Sequence, residues 1–343
     1  MTKVSSATVS LVINHKPGVG KDTRERVLGV ARALNFTPNI LARSLVTQRS
    51  NSIAMLITTM QNSVFTDIAT GVHQILQKRG YLLSIIPTNA DEALEANAIE
   101  SIRARGFDGV ITLATLLNND NSKKLADFGL PVIWVLRRYL NRDDMDYVGI
   151  DNVKGAYLAV EHLIRLRHKR IAVIRGPVNT STGLERLEGA LRAFRDYGLI
   201  VSDELIQQGD YLRRSGYDST LRLLDLDAGR RPTAIFAAND DMAFGALDAL
   251  IDRGLKVPGD VALVGAGNVE ATSFRTLKMT TVSQQNTDMG RRAAKRIVDR
   301  IEKKRGVKKK FQVELEPELI VRESCGFYLA KKYLVTQAKN RRF

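Results

Sequence analysis

The chain has 343 residues, 44% hydrophobic and 26% charged, enough for two lobes that each bury a core and for a small additional head. Its one cysteine, Cys325, excludes a disulfide framework within the chain and suits a reducing cytoplasm. Fifty-two Lys and Arg against 37 Asp and Glu give a net charge of +15. Residues 1–50 hold +6 and residues 326–343 hold +5, which leaves +4 for the long middle. Positive ends of this kind suit contacts to nucleic-acid phosphates, although a basic surface also serves solubility. No signal-like apolar run opens the chain and no apolar stretch is long enough for a bilayer helix, so neither export nor membrane insertion is expected.

In chain order, the first element expected is a helix running from an N-cap at Ser5 to about Asn14. Val9, Val12 and Ile13 form one apolar stripe, while Ser6, Ala7 and Thr8 present small side chains that allow close approach to a DNA groove. Taken alone, the pattern serves equally for an ordinary helix packed on its domain. The turn His15–Gly20 leads to a second amphipathic helix from Lys21 to about Asn35, with Val27, Val30, Ala31 and Leu34 against Arg24, Arg26 and Arg32. Thr37-Pro38-Asn39 breaks the periodicity, and a short helical run, Ile40–Leu45, precedes a polar linker ending near Asn51.

The middle alternates strands and helices. Strands are expected at Ser52–Thr58, Tyr81–Pro87, Gly109–Leu113 and Pro131–Leu136, with helices at Phe65–Arg79 and Glu92–Arg105. A second set starts near Asp151, with helices Lys154–Leu166, Gly183–Tyr197 and Asp241–Arg253 and strands Arg170–Ile174, Thr233–Ala237 and Val261–Gly265. Two such sets predict an α/β protein with two doubly wound parallel-sheet lobes and a cleft between them. Ligands bind such sheets at the carboxyl ends of the strands.

Three enzyme-like patterns fail on their own residues. Gly18–Thr23 is similar to a phosphate-binding loop, but His15 and Asp22 stand where Gly and Ser/Thr are needed and no strand precedes it. Gly265-Ala266-Gly267 is similar to a dinucleotide loop, but Glu270 replaces its third glycine. The four histidines, His15, His73, His162 and His168, lack zinc-site spacing, and His162 and His168 are expected to act as basic caps at a helix end. No enzyme activity, metal or cofactor is expected.

VSSATVSLVINHKPGVGKDTRERV and LNFTPNILARSL resemble the head and hinge of the lactose-repressor family of bacterial transcription factors. The resemblance continues through DNVKGAYLAVEHLIRLRHKRIAVIRGP, ANDDMAFGAL and VRESC, and so spans nearly the whole chain. It implies a periplasmic-binding-protein-like body behind a small all-α helix-turn-helix head and a hinge helix. The expected divisions are 1–38 for the head, 39–50 for the hinge and linker, 51–150 plus 283–310 for the N-terminal lobe, 151–282 plus 311–326 for the C-terminal lobe, and 327–343 for a basic tail. Only Met1, Thr2 and Lys3 precede Val4, so the first helix of a helix-turn-helix is missing from this sequence, and the true start is expected to lie upstream.

The resemblance also implies site residues and partners. Ser6, Ala7 and Leu11 fall at base-reading positions, and Leu11 stands where Arg is frequent, which exchanges guanine readout for contact with a thymine methyl. Ser5, Thr8, Ser10 and Asn14 fall at phosphate-contacting positions. In the hinge, Asn39, Ala42 and Arg43 are expected at DNA, and Leu45 is expected to wedge into a minor-groove step. The effector set carried over is Thr58, Phe65, Arg137, Arg186, Tyr211, Asn239 and Asn268. Each has an ordinary alternative: an ion pair for Arg186, core packing for Phe65 and Tyr211, a helix cap for Asn239. Leu136 and Gly267 stand where many members carry Asp, so the ligand is expected to be less polar, anionic or smaller than a typical sugar. The implied protein is a homodimeric, cytoplasmic regulator, a repressor of pseudo-palindromic operator DNA controlled by a carbohydrate-like effector. The alternative is a soluble ligand-binding protein without DNA activity.

Overall fold

The computed structural model describes residues 4–13, 16–34, 36, 49–114, 116, 120–138, 145–303 and 310–327. Asn14, Asn39, Ala42, Arg43, Leu45 and the tail beyond Phe327 lie outside the described residues. Residues 1–50 and 51–343 form two separate compact units.

In the first unit, α1 (Ser6–Ile13) and α2 (Lys21–Ala33) pack through Val12 and Val27, the two buried residues of these helices. Ser5 caps α1 as its residue type predicts, its Oγ accepting the Thr8 amide at 3.2 Å. The turn between the helices is closed by the Lys16 amide on the Leu11 carbonyl and by Arg24 Nη2 on the Lys16 carbonyl, at 2.9 and 2.6 Å.

The second unit contains two six-stranded sheets. The first set is β1 (Ser52–Ile57), α3 (Ser63–Lys78), β2 (Leu82–Pro87), α4 (Glu92–Ala104), β3 (Gly109–Thr112), α5 (Asp120–Ala126), β4 (Val132–Val135) and β5 (Asp146–Ile150). The second is α6 (Asn152–Arg165), β6 (Ile171–Arg175), α7 (Ser181–Asp196), β7 (Ile206–Gln208), α8 (Arg213–Leu224), β8 (Ala234–Ala237), α9 (Asp240–Asp252), β9 (Ala262–Gly267) and β10 (Thr280–Ser283). The chain then adds α10 (Asn286–Ile301), β11 (Gln312–Leu315) and β12 (Glu318–Ile320). Strand order is β11-β5-β4-β3-β1-β2 in the first sheet and β12-β10-β9-β8-β6-β7 in the second, all parallel except the β10–β12 pair. These are the expected doubly wound lobes: the central strands are apolar on both faces because helices cover both.

Four expectations change. Residues 311–326 were assigned to the second lobe, yet β11 pairs with β5 in the first sheet, so the chain returns to the second lobe only between Leu315 and Glu318. Phe311 is drawn to that edge because its amide donates to Asp146 Oδ1 at 2.9 Å. The strand expected to end at Gly265 runs on through Ala266 and Gly267, so Gly265-Ala266-Gly267 lies inside β9. No element is expected from the sequence at α5, β5, β7, α8, β10, α10, β11 or β12. Finally, His162 and His168 are not cationic caps. His162 Nε2 lies 3.2 Å from Cys325 Sγ and His168 Nδ1 lies 3.0 Å from Thr233 Oγ1, and burial pushes both imidazoles below their usual range.

Candidate functional site

On α1, Ser5, Ser6, Ala7 and Ser10 are exposed, Thr8 and Leu11 are half-buried, and Val12 is turned inward. The hydroxyls of Ser5 and Thr8 lie 2.9 Å apart, so the cap also fixes the polar first turn. The helix thus shows solvent the small, hydroxyl-bearing face expected to meet DNA, while its valine stripe holds it to α2.

The cleft is built where strands end and helices begin. Asn62, Val64 and Phe65 open α3 after β1, Leu136 and Arg137 follow β4, and Thr182 and Arg186 open α7 after β6. Tyr211 follows β7, Asn239 follows β8, and Gln284 sits in the crossover after β10; together these residues line a cavity of about 20 Å3. A second cavity of about 10 Å3 shares Arg186 and Gln284 and extends past Asn152 and Phe236. All these positions lie at the carboxyl edge of the two sheets, where such folds place ligands.

Side-chain caps set the local geometry. Asn62 Oδ1 accepts the Val64 amide, Thr180 Oγ1 the Gly183 amide and Asn239 Oδ1 the Met242 amide, at 3.1, 3.1 and 3.0 Å, so three helix N-termini open at the cleft. Arg186 is buried, its Nε donating to Asn152 Oδ1 at 2.9 Å and its Nη1 to the Ala238 carbonyl, with the guanidinium 5.7 Å from the Tyr211 ring centroid. The Tyr211 hydroxyl donates to Thr182 Oγ1 at 3.1 Å. Tyr211 itself has φ +73°, a strained value for a residue with a side chain, held by the Asn239 amide on its carbonyl at 2.9 Å.

Arg137 differs from these. It is 5% exposed, and its Nε and Nη1 have no hydrogen-bond partner. Burial lowers its pKa to about 10, with Tyr211 opposing and Arg186 reinforcing the shift, so it remains a cation at neutral pH. Gln284, a residue the sequence analysis missed, is 2% exposed with both amide ends unpartnered.

Of the expected effector residues, Phe65, Arg137, Arg186, Tyr211 and Asn239 therefore share one cavity. Asn239 spends its side chain on the α9 cap and the Tyr211 carbonyl. Thr58 is buried at the end of β1 and lines neither cavity, and Asn268 is turned away, its Oδ1 accepting from Arg322 Nη2 at 2.8 Å. Asn62 and Thr182 were also missed. Asn62 is a helix cap and Thr182 lies in the first turn behind the cap Thr180, and only the meeting of the lobes turns both toward one space.

The lobes touch around this space. The amide and hydroxyl of Ser63 donate to Asp241 at 3.2 and 2.9 Å, the Arg138 amide donates to Ser181 Oγ at 2.9 Å, and Asn286 Nδ2 donates to the Gly267 carbonyl at 2.9 Å.

A family model described as bacterial regulatory proteins, lacI family, matches residues 1–39, and one described as a periplasmic binding protein-like domain matches residues 160–325. The chain is 33% identical over 325 residues to the HTH-type transcriptional repressor PurR of Haemophilus influenzae (strain PittEE), covering 94% of this chain and 96% of that protein. It is 32% identical, with the same coverage, to the PurR repressor of Mannheimia succiniciproducens. Among solved structures, a transcriptional regulator CelR–cellobiose complex superposes with TM-score 0.73 at 30% identity over 94% of this chain and 97% of that one. The lac repressor dimer bound to operator and the anti-inducer ONPF superposes with TM-score 0.81 at 25% identity, covering 94% and 96%.

Proposed function

Because the chain belongs to the lactose-repressor family of bacterial transcriptional regulators, we infer that it is a sequence-specific DNA-binding regulator, a repressor whose operator affinity is set by a small molecule bound between its two lobes. The observation that carries this reading is the convergence of Phe65, Arg137, Arg186, Tyr211 and Asn239 on one enclosed space in a chain whose exposed N-terminal helix has the small polar face of a groove reader. In our reading Ser6, Ala7 and Leu11 meet base edges and Ser5, Thr8 and Ser10 meet phosphates, joined by Asn14, Asn39, Ala42, Arg43 and Leu45. The hydroxyls position the helix on the backbone and the small side chains let it seat deeply. Arg186 and Tyr211 grip the effector, one by its planar fork and the other by its ring. The relatives are transcriptional regulators, and among the described residues the lining side chains include no nucleophile with an adjacent base, so binding alone is the proposed activity.

The protein is proposed to act as a homodimer on a pseudo-palindromic operator. Supporting this, β2 is a sheet edge with Leu82, Ile85 and Leu94 exposed beside a groove of about 380 Å3. No described helix is long and apolar enough to cross a membrane. Coupling between cleft and operator is expected at about 1–3 kcal/mol.

The test is selection of bound duplexes from random DNA with the full chain, followed by a salt titration on the winning sequence. A pseudo-palindromic consensus is expected, with affinity falling roughly a thousandfold or more between 50 and 200 mM salt. Enrichment of no sequence would sink the regulator reading and leave a ligand-binding protein.

A further inference from the structure

Arg137 stands apart from the other buried guanidiniums of this molecule. Arg296, 9% exposed, is matched by Asp146, its Nε and Nη2 donating to the two carboxylate oxygens at 2.8 and 2.9 Å. Arg186 is held by Asn152 and the Ala238 carbonyl. Arg138, the next residue along the chain and only half-buried, also has two carboxylates, Glu185 and Glu314. Arg137 has neither an ion pair nor a side-chain hydrogen bond among the described residues, and it lines the cavity between the lobes. Glu95 is close enough for its charge to be felt at Arg137 but does not line the cavity. An unpaired buried charge costs several kcal/mol, so a structural role would be better served by an apolar side chain of the same length.

The rest of the cavity points the same way. Among the described residues, its lining contains two arginines and no Asp or Glu. Leu136 is apolar on the β4 side. On the β9 side, Gly267 leaves its place to Asp240, whose oxygens are already taken by Thr281 and the Val269 amide. Both amide ends of Gln284 face the same space unpartnered, and the N-termini of α3, α7 and α9 open toward it, adding the positive ends of three helix dipoles.

We propose that the cleft is built for a small organic oxyanion, whose carboxylate or phosphate supplies the acceptors that Arg137 lacks, with Gln284 bonding the polar body beside it. The proposal rests on reading this cleft as the effector site. A bidentate carboxylate or two phosphate oxygens match the guanidinium fork. Among the described residues, no lining carboxylate is there to repel such a ligand or to chelate the hydroxyl pairs of a neutral sugar.

The experiment follows thermal unfolding and calorimetric binding of the full chain with D-gluconate, D-glucose 6-phosphate and neutral D-glucose, each at about 10 mM and matched ionic strength. The parent is compared with Arg137→Gln, Arg137→Met and Arg186→Gln. The expected result is stabilisation by one or both anions and not by glucose, the responding anion telling carboxylate from phosphate. The anion response falls at least tenfold in Arg137→Gln, while Arg137→Met without probe unfolds no lower than the parent, an outcome that a purely structural arginine would not give. Failure of both anions to stabilise the parent overturns the proposal, as does an anion response that survives Arg137→Gln. Glucose binding lost in Arg186→Gln but retained in Arg137→Gln also overturns it, while leaving the cleft intact as the effector site.

Discussion

Asp240, at the start of α9, is 1% exposed, with its Oδ1 accepting from Thr281 Oγ1 at 2.6 Å and its Oδ2 from the Val269 amide at 3.1 Å. Burial pushes its pKa up to about 6, those two hydrogen bonds opposing the shift and Asp241 adding to it. A carboxyl whose pKa is higher folded than unfolded binds its proton more tightly in the native state. Its ionisation therefore costs stability as pH rises from the ordinary carboxylate range to about 6; the penalty is complete above that and absent below about 4. Asp240→Asn removes this penalty, so its stability relative to the parent should improve by roughly 2–3 kcal/mol between pH 4 and pH 7. Denaturant titrations at the two pH values read this directly, and a difference independent of pH would refute it. The same carboxylate explains Gly267. A Cβ there would lie 2.7 Å from Asp240 Oδ2, on a backbone with φ +151°. The family resemblance implies a missing carboxylate at Gly267; the structure places Asp240 of the neighbouring helix against that backbone.

At the scale of elements, the contact between α3 and α10 decides how the last helix docks. Gly71 faces the Thr287 backbone and Gly290 faces the Ile68 backbone, with a Cβ on either landing about 2 Å from a carbonyl oxygen. The helices approach so closely that only glycine fits. Gly71→Ala should cost about 1–3 kcal/mol, while Gly229→Ala, with open space around it, should stay within about 0.5 kcal/mol. Urea unfolding of the two variants tests this, and equal midpoints would refute the close-approach argument. These elements also show which parts were legible. The strands and helices of strong periodicity, such as β1, α3, α6 and α9, lie within a few residues of their expected places. α10 was passed over because its buried face is made partly of small residues, Gly290, Ala293 and Ala294, among four arginines. β5 and β7 are short and owe their strand character to partners, β5 lying between β4 and β11 and β7 lying beside β6.

For the whole molecule, the cleft and the exposed edge at β2 set the scale of function. Leu82 is 65% exposed and Ile85 39%, on a strand whose outer backbone groups have no neighbour in the sheet. If this edge joins two copies, Ile85→Lys should convert a dimer to a monomer and weaken operator binding through loss of the paired heads. Sedimentation of the full chain checks it: a parent that runs as a monomer, or a variant that still runs as a dimer, would sink the idea. The three passages between lobes, after Ile150, after Ser283 and after Leu315, tie the sheets together beneath the cleft. Gln285 in the second passage donates to the Glu316 carbonyl at 2.9 Å in the third, which makes the crossover a cross-linked hinge.

The sequence by itself determined the alternation that forces two parallel sheets and the capped helix that shows small residues outward, because periodicity and capping are properties of neighbouring residues, while its family resemblance implied the arginine and tyrosine of the cleft. Only the tertiary structure decided that β11 completes the first sheet, that Asn268 turns to Arg322 while Gln284 turns into the cavity, and that Arg137 is buried without a partner. Each of these depends on which groups from distant segments share one space, and on the high cost of leaving a polar group buried there unmatched.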